Sequence, residues 1–205
     1  MDQNLVKEIY RNQIISTFVV LPLASFLLYK FFFRDRLAFS IEQFPSFFEI
    51  IYYIIFYHFL CDTWLYTFHR LLHTKTLYKY IHKKHHKLHS PTASGTQYAS
   101  IFEELINNFP STLLPLIIFP RHVVLVWIFT GCRIAESVEA HSGYLLPWSF
   151  FKMLGYVHGG STRHDFHHRF PHSGNYGIFF FWDYILGTDK AYQSWLKEFQ
   201  SNQNK

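Results

Sequence analysis

The chain has 205 residues, of which 49% are hydrophobic and 21% aromatic, while only 16% are charged. Soluble domains usually carry about 25% charged residues, so this composition excludes a disordered chain, a collagen-like chain and a nucleic-acid-binding arm. The formal net charge is +5 with histidines counted as neutral, and the 14 histidines are the unusual feature of the composition. The length suits one domain and is too short for a fused reductase or haem module beside a full core.

The first apolar block, residues 14–33, predicts a membrane helix, because about 20 apolar residues cross a hydrocarbon core of about 30 Å. A cleaved signal peptide is the alternative. The block is long for a signal core and is followed by Arg34, Asp35 and Arg36 rather than by a small-residue cleavage site. The membrane helix is therefore the favoured interpretation.

Three further apolar blocks follow, at residues 44–68, 105–119 and 123–138. The first of these three contains polar residues, which within a membrane normally face a bundle interior or a site. The next is short and is interrupted by Pro110 and Pro115, which favours a kinked or re-entrant helix. It is predicted to form a hairpin with the last block, entered and left from one side.

Basic residues indicate the orientation of these blocks. Lys7 and Arg11 precede the first block, and a cluster of cations follows the second. The positive-inside rule then places the N terminus and residues 69–100 on the cytosolic face or its topological equivalent. The sequence predicts an all-α integral membrane bundle of about four membrane helices, with its histidine-rich segments on one face. The clustered cations are Arg70, Lys75, Lys79, Lys83, Lys84 and Lys87.

Three histidine motifs, HRLLH, HKKHH and HDFHH, follow the second block in this order. On a helix, spacings of three and four residues place imidazoles on one face, so each motif is predicted to present its histidines together. Imidazole suits zinc, copper, iron and nickel, and so many imidazoles could serve two metals with open positions left over. The nine candidate ligands are His69, His73, His82, His85, His86, His141, His164, His167 and His168.

In order and spacing, the three motifs resemble those of the membrane-bound fatty acid hydroxylase superfamily, which includes sterol desaturases and hydroxylases. The segments ESVEAHSGYLLPWS, SGNY and WDYILGTD resemble its methylsterol monooxygenase branch. The sequence departs from that branch at Ser100, where the branch usually has histidine in a YAH segment, and at Leu145, where it usually has aspartate. The portion before the second block is also short. These departures bear on the substrate more than on metal binding.

The resemblance implies a non-haem di-metal centre, with two iron ions in active members, that uses O2 to oxidise a lipid C–H bond. Zinc is a possible occupant of a purified or inactive form. The resemblance makes the nine histidines the metal ligands, with no catalytic residue beyond them. Groups around the ligands must then orient the imidazoles. The carboxylates nearest the motifs in sequence are Asp62, Glu136, Glu139, Asp165 and Asp183.

The resemblance also implies partners and a location. Electrons would come from a b-type cytochrome and its reductase, since the chain has no GxGxxG fingerprint and no CxxCH haem motif. The location implied is the endoplasmic reticulum, with another organelle membrane, such as the mitochondrial inner membrane, as the alternative. Residues 1–43 are interpreted as a membrane helix with a connector, residues 44–190 as the catalytic domain, and residues 191–205 as a polar tail.

The leading hypothesis is a membrane-bound lipid hydroxylase with a sterol-like or fatty-acyl substrate and no nucleic-acid partner. The alternative is an accessory or structural subunit, beside other membrane protein subunits, that keeps the hydroxylase fold with little or no activity. A membrane zinc hydrolase is disfavoured, because no HExxH motif supplies a general base.

Other polar residues near the apolar blocks are expected to lie outside the metal centre. His58 is predicted to be a hydrogen-bonded core histidine, and His122 an interfacial one. Glu136 precedes His141 by five residues, about 140° around a helix, and is predicted to bond a neighbouring helix or a cation. His158 is expected in a solvated loop.

Overall fold

A computed structural model describes residues 2–146 and 159–203, and the secondary structure of these residues is helical, with no strand among them. This confirms the all-α prediction for the described part of the chain. The end of the ESVEAHSGYLLPWS segment and His158 lie outside the described residues.

The first helix, α1, spans Gln3–Phe33 and therefore begins well before the predicted apolar block. Asp2 caps its N terminus, where the carboxylate accepts a hydrogen bond from the Asn4 N–H at 3.1 Å. Such a cap satisfies one of the free N–H groups of a helix start. The most apolar stretch of α1 has no buried residue, so its side chains are available to contact lipid.

The second helix, α2, spans Phe47–Leu72 and is the longest α-helix of the bundle after α1. Its start is fixed by a capping box, in which the Ser46 hydroxyl accepts from the Glu49 N–H and the Glu49 carboxylate accepts from the Ser46 N–H at 2.8 Å. Its last turn carries His69, and His73 is its C-cap. The first histidine motif therefore lies where α2 ends.

Helices α3, Phe109–Ile118, and α4, Val123–Ala140, form the predicted hairpin. Pro110, which has no N–H to donate, follows the π-helical turn Glu104–Asn108, and the Ile106 carbonyl one turn before it accepts from Trp64 Nε1 at 3.0 Å. Two backbone hydrogen bonds join Ala38, which follows α1, to Arg121 and Val123 at the connection between α3 and α4. The hairpin is therefore tied to the end of α1 that is remote from the N terminus.

The prediction of about four membrane helices is supported only in part. Among the described residues, α1 is the one helix long and apolar enough to cross a membrane. The tyrosines, His58 and carboxylates of α2 lower its mean hydropathy, α3 has only 10 residues, and α4 contains Arg133, Glu136 and Glu139.

Buried apolar side chains from all four helices meet in one core. Phe33 of α1, Tyr57 of α2, Leu116 of α3 and Phe129 of α4 belong to it. Where the helices lie in a bilayer, such side chains stabilise the bundle by close packing and not by leaving water. The core therefore fixes the four helices relative to one another.

A second, smaller apolar cluster connects the N-terminal part of α1 to the segment that follows α2. It contains Ile9, Leu88 and Tyr98, all of them buried. The N-terminal part of α1, the end of α2 and the end of α4 consequently share one end of the bundle. The histidine motifs lie at this end.

Three helices follow α4 in the described chain: α5, Gly160–Arg169; α6, Phe181–Ile185; and α7, Lys190–Gln203. Helix α5 carries the third histidine motif. The rings of Tyr192 and Trp195 on α7 each lie 5.4 Å from the Phe166 ring of α5. Aromatic contacts of this kind hold α7 against the helix that bears the motif.

Candidate metal centre

The nine predicted ligands converge in two adjacent groups. Within each group the facing side-chain nitrogens lie within 4.8 Å of one another. All of these histidines are buried except His164, which is half-buried. The five-histidine cluster consists of His69, His73, His82, His86 and His167. The four-histidine cluster consists of His85, His141, His164 and His168.

The second motif does not present its histidines on one helix face, so that prediction is wrong. A π-helical turn ends at His82, and a separate 3₁₀ turn begins at His85. His82 and His86 therefore reach the five-histidine cluster, while His85 reaches the other.

The third motif is divided between the clusters as well, although it lies on one α-helix, α5. His164 and His168 are one turn apart and share the four-histidine cluster. His167 projects about 100° from His168 and reaches the five-histidine cluster. Helix α5 therefore lies between the two clusters and supplies both.

Backbone carbonyl groups determine which ring nitrogen carries the proton. A carbonyl oxygen only accepts, so a ring nitrogen that bonds to it must be protonated, and the opposite nitrogen of the neutral ring then has a free lone pair. Four cluster histidines have Nδ1 2.7–3.0 Å from a backbone carbonyl oxygen. The pairs are His69 with Tyr176, His141 with Ser137, His167 with Gly174, and His168 with Leu88.

The Nε2 atoms of these rings therefore meet with lone pairs rather than protons. Nε2 of His69 lies 3.0 Å from that of His82 and 3.1 Å from that of His167. The His69 and His167 lone pairs cannot hydrogen-bond to each other, because neither nitrogen carries a proton. A cation between them satisfies both, so the donor set fits a bound metal ion.

Burial keeps these imidazoles neutral. It is the main cause that lowers the pKa of His82, His85, His164, His167 and His168 well below the ordinary value, and neighbouring histidines add to the effect. Burial also lowers the pKa of His141, to about 4. Neutral imidazole is the form that binds metals, so the site is ready for metal at neutral pH.

These lowered pKa values predict an acid-sensitive fold once metal is removed. The folded histidines stay neutral, whereas unfolded ones take up protons below about pH 6.5. The unfolded chain then binds more protons, so the free energy of unfolding decreases as the pH falls below about 6.5, by about 1.4 kcal/mol per pH unit for each such histidine. Thermal unfolding of the chelator-treated protein in detergent, followed from pH 8 to pH 5, measures this decrease.

Metal-loaded protein is the comparison for that experiment. A bound cation competes with protons for the same lone pairs, so the loss of stability should begin at a lower pH than in the metal-free protein. A melting temperature that stays constant between pH 7 and pH 5 in the metal-free protein would contradict the lowered pKa values of the cluster histidines.

Asp183 organises the loop that supplies two of the orienting carbonyls. It is fully buried and accepts hydrogen bonds from the backbone N–H groups of Tyr176 and Gly177, at 3.0 and 2.9 Å. The Thr188 hydroxyl donates to it at 2.6 Å, and Arg163 forms an ion pair with it at 2.7 Å. Asp183 thus fixes the backbone that holds the five-histidine cluster.

The same loop contains two residues with left-handed backbone conformation, Gly174 and Asn175, with φ of 94° and 63°. A Cβ atom on Gly174 would lie 1.7 Å from the Thr188 carbonyl oxygen, so only glycine fits. The Asn175 side chain accepts a hydrogen bond from Arg163 Nε at 2.9 Å. Asp62 holds the next residues by accepting from the Ile178 N–H at 2.6 Å.

The polar residues expected outside the centre are placed largely as predicted. His58 has Nδ1 2.6 Å from the Ile54 carbonyl oxygen and Nε2 3.3 Å from Glu136, which confirms a hydrogen-bonded core histidine. Glu136 also pairs with Arg133 and lies outside both clusters. His122, expected at the membrane interface, is buried, and its ring accepts from the Val124 N–H and so caps the first turn of α4.

Glu103 is the orienting candidate that the sequence did not reveal. Its carboxylate lies 2.9 Å from Nδ1 of His82, and both side chains are buried. It belongs to a short turn, Ile101–Glu103, that no histidine motif marks. Glu139 and Asp165, two of the carboxylates nearest the motifs in sequence, are half-buried.

The fatty acid hydroxylase family model matches residues 54–188, a range that contains all nine cluster histidines. The chain belongs to the fatty acid hydroxylase family. This confirms the resemblance found in the three motifs, and the matched range also contains Glu103 and the loop around Gly174.

Curated relatives agree with this assignment. The fatty acid hydroxylase family chain is 39% identical to "Methylsterol monooxygenase 2-2" of Arabidopsis thaliana over 161 residues, which are 77% of this chain and 59% of the relative. It is 40% identical to "Very-long-chain aldehyde decarbonylase GL1-11" of Oryza sativa subsp. japonica, over 73% of this chain and 57% of the relative. "Methylsterol monooxygenase 1" of Gallus gallus is 41% identical, over 64% and 44%.

The chain therefore spans about half the length of the curated relatives it matches. No solved structure matches this fatty acid hydroxylase family member.

Proposed function

We propose that this chain is a membrane-bound, non-haem di-iron oxygenase that oxidises a C–H bond of a lipid. The observation that carries the proposal is the pair of buried histidine clusters, in which backbone carbonyls fix the Nδ1 protons and the Nε2 lone pairs converge. When bound, two iron ions would supply the activation of O2 that C–H oxidation requires. The nine histidines would hold the ions.

The protein's own residues would contribute orientation and exclusion of water. Asp183 and Asp62 hold the loop whose carbonyls orient His69 and His167. His167 and His168 are completely buried, so bulk water has little access to the interior of the clusters. Neutral ligands leave the positive charge of the metals available to oxygen-derived anions.

A lipid substrate is supported by the relatives and by the surface of the bundle. Two of the named relatives are methylsterol monooxygenases, and the third is a very-long-chain aldehyde decarbonylase. Large apolar side chains are exposed on the helices, for example Phe18 at 74%, Phe48 at 80% and Trp127 at 69%. We propose that a sterol-like or fatty-acyl lipid reaches the centre from the bilayer, in the endoplasmic reticulum.

The test begins with metal analysis of the full chain purified in mild detergent. Iron near two per chain supports the proposal, whereas zinc alone or no metal contradicts an active di-iron form. The purified chain is then reconstituted with a b-type cytochrome, its reductase and NADH. A 4-methylsterol and a very-long-chain aldehyde are supplied as substrates, and oxidised products are detected by mass spectrometry. Metal without turnover of any lipid, together with co-purification in a large complex, would instead favour an accessory subunit.

The proposed membrane arrangement predicts a common side for both termini and residues 69–100. The N-terminal part of α1 packs on Leu88 and Tyr98, and the α3–α4 hairpin returns the chain to the same end of the bundle. Single cysteines introduced at exposed positions Lys7, Lys87 and Glu198 should therefore react with a membrane-impermeant reagent from the same side. Labelling from opposite sides would contradict this arrangement.

A further inference from the structure

A carboxylate faces one ligand of the five-histidine cluster. Oε1 of Glu103 lies 2.9 Å from Nδ1 of His82. Glu103 is 2% exposed and His82 1% exposed, so water does not weaken this contact. The other oxygen of Glu103 and Nδ1 of His82 are both buried without a well-aligned hydrogen bond, so the 2.9 Å approach between the two groups is a close charge contact. The carboxylate therefore faces the imidazole of His82.

The local fold places Glu103 beside His82. The Ser100 hydroxyl accepts a hydrogen bond from the Glu103 N–H at 3.2 Å and so caps the turn Ile101–Glu103. Just before this turn, the Tyr98 carbonyl lies 3.4 Å from Nδ1 of His85. One short segment thus reaches ligands of both clusters, one through a carboxylate and the other through a backbone carbonyl.

A carboxylate affects an imidazole differently from a carbonyl. Both accept, so both favour a proton on Nδ1 and a free lone pair on Nε2. A cation bound in the cluster would favour the ionised form of this buried carboxylate, and the negative charge would then make the imidazole a more basic and stronger metal ligand. Nε2 of His82 lies 3.0 Å from that of His69 and 2.9 Å from that of His86, so it is central in its cluster.

We propose that Glu103 is a positioning residue that holds His82 with Nδ1 protonated and thereby strengthens metal binding in the five-histidine cluster. This inference rests on the metal binding of the proposed function. Loss of an orienting carboxylate of this type typically costs about 10- to 100-fold in metal affinity. The four-histidine cluster, in which backbone carbonyls and not a carboxylate accept from Nδ1 of His141 and His168, should not share the loss.

The experiment measures cobalt(II) binding to the full chain in detergent, one cluster at a time. The His164→Ala background leaves the five-histidine cluster intact, and the His86→Ala background leaves the four-histidine cluster intact. Glu103→Gln should weaken cobalt binding about 10- to 100-fold in the first background and leave it unchanged in the second. It should also shift the visible absorption bands of cobalt in the first background, because the ligand field of His82 changes.

Glu104→Gln is the matched control. Glu104 is the next residue, and its carboxylate accepts from the Asn108 side chain at 3.2 Å rather than from a cluster histidine. This variant should leave the affinity and the cobalt spectrum unchanged. The melting temperature of each metal-free variant shows whether it is folded.

The outcomes separate this inference from the proposed function. A wild-type chain that binds no cobalt would refute the metal centre itself. If the wild-type chain binds cobalt and the Glu103→Gln variant binds it with the same affinity, only the role of Glu103 is overturned. An equal loss of affinity at both clusters would also overturn it, because a general structural defect would then be the cause.

Discussion

Replacing both His167 and His168 with alanine is expected to remove metal from both clusters and to abolish lipid oxidation. The two residues are neighbours on α5, but His167 belongs to the five-histidine cluster and His168 to the four-histidine cluster. Each substitution removes a direct ligand, so the loss of metal affinity should exceed the roughly 10- to 100-fold loss typical of replacing an orienting residue. Metal per chain, measured by mass spectrometry after dialysis, is the readout.

The single variants make this prediction more specific. His167→Ala should reduce metal in the five-histidine cluster, and His168→Ala in the other, so each single variant should keep about half of the metal. His89→Ala is the control, because this exposed histidine follows the second motif and belongs to neither cluster. Full metal content in the double variant would refute the assignment of the third motif.

The Asp183→Asn variant is expected to lose stability even without metal. The substitution removes the charge opposite Arg163, which is 4% exposed, and so leaves a buried cation without its ion-pair partner. Breaking a buried ion pair in this way typically costs about 3–5 kcal/mol. Chemical unfolding of the metal-free protein in detergent measures the loss.

A second effect of Asp183→Asn should appear in metal binding. The Tyr176 N–H donates to Asp183, and the Tyr176 carbonyl accepts from His69, so a loosened loop should weaken the five-histidine cluster first. Glu198→Gln on the exposed side of α7 is the control and should change neither property. Wild-type stability in Asp183→Asn would show that the Arg163 pair is not needed for the fold.

The histidines of the centre could be predicted because metal chemistry restricts both residue type and spacing. Imidazoles repeated at three- and four-residue intervals have few other uses, and all nine candidates lie in the two clusters. The distribution of those histidines could not be predicted. It depends on the break between the turns at His82 and His85 and on the position of α5 between the clusters.

The parts that orient the ligands were hardest to predict. Most are backbone carbonyls, such as those of Gly174 and Tyr176, and any residue type can supply a carbonyl. Glu103 was missed because it acts on His82 across a tertiary contact, and nothing in its local sequence indicates this partner. The helical blocks were predicted well, whereas the number of membrane crossings stays a prediction: among the described residues α1 alone is long and apolar enough to cross a membrane, because polar residues lower the hydropathy of α2 and α4.

Metal held in the clusters, as proposed, would couple the folding of the chain to its metal supply. His69 and His167 are 98 positions apart and meet with their Nε2 atoms at 3.1 Å. An ion held between them would act as a cross-link that closes a long loop, and such a link penalises the unfolded chain. Newly made chains in iron-starved cells should therefore be degraded by quality-control proteases, rather than accumulate as an intact but inactive pool.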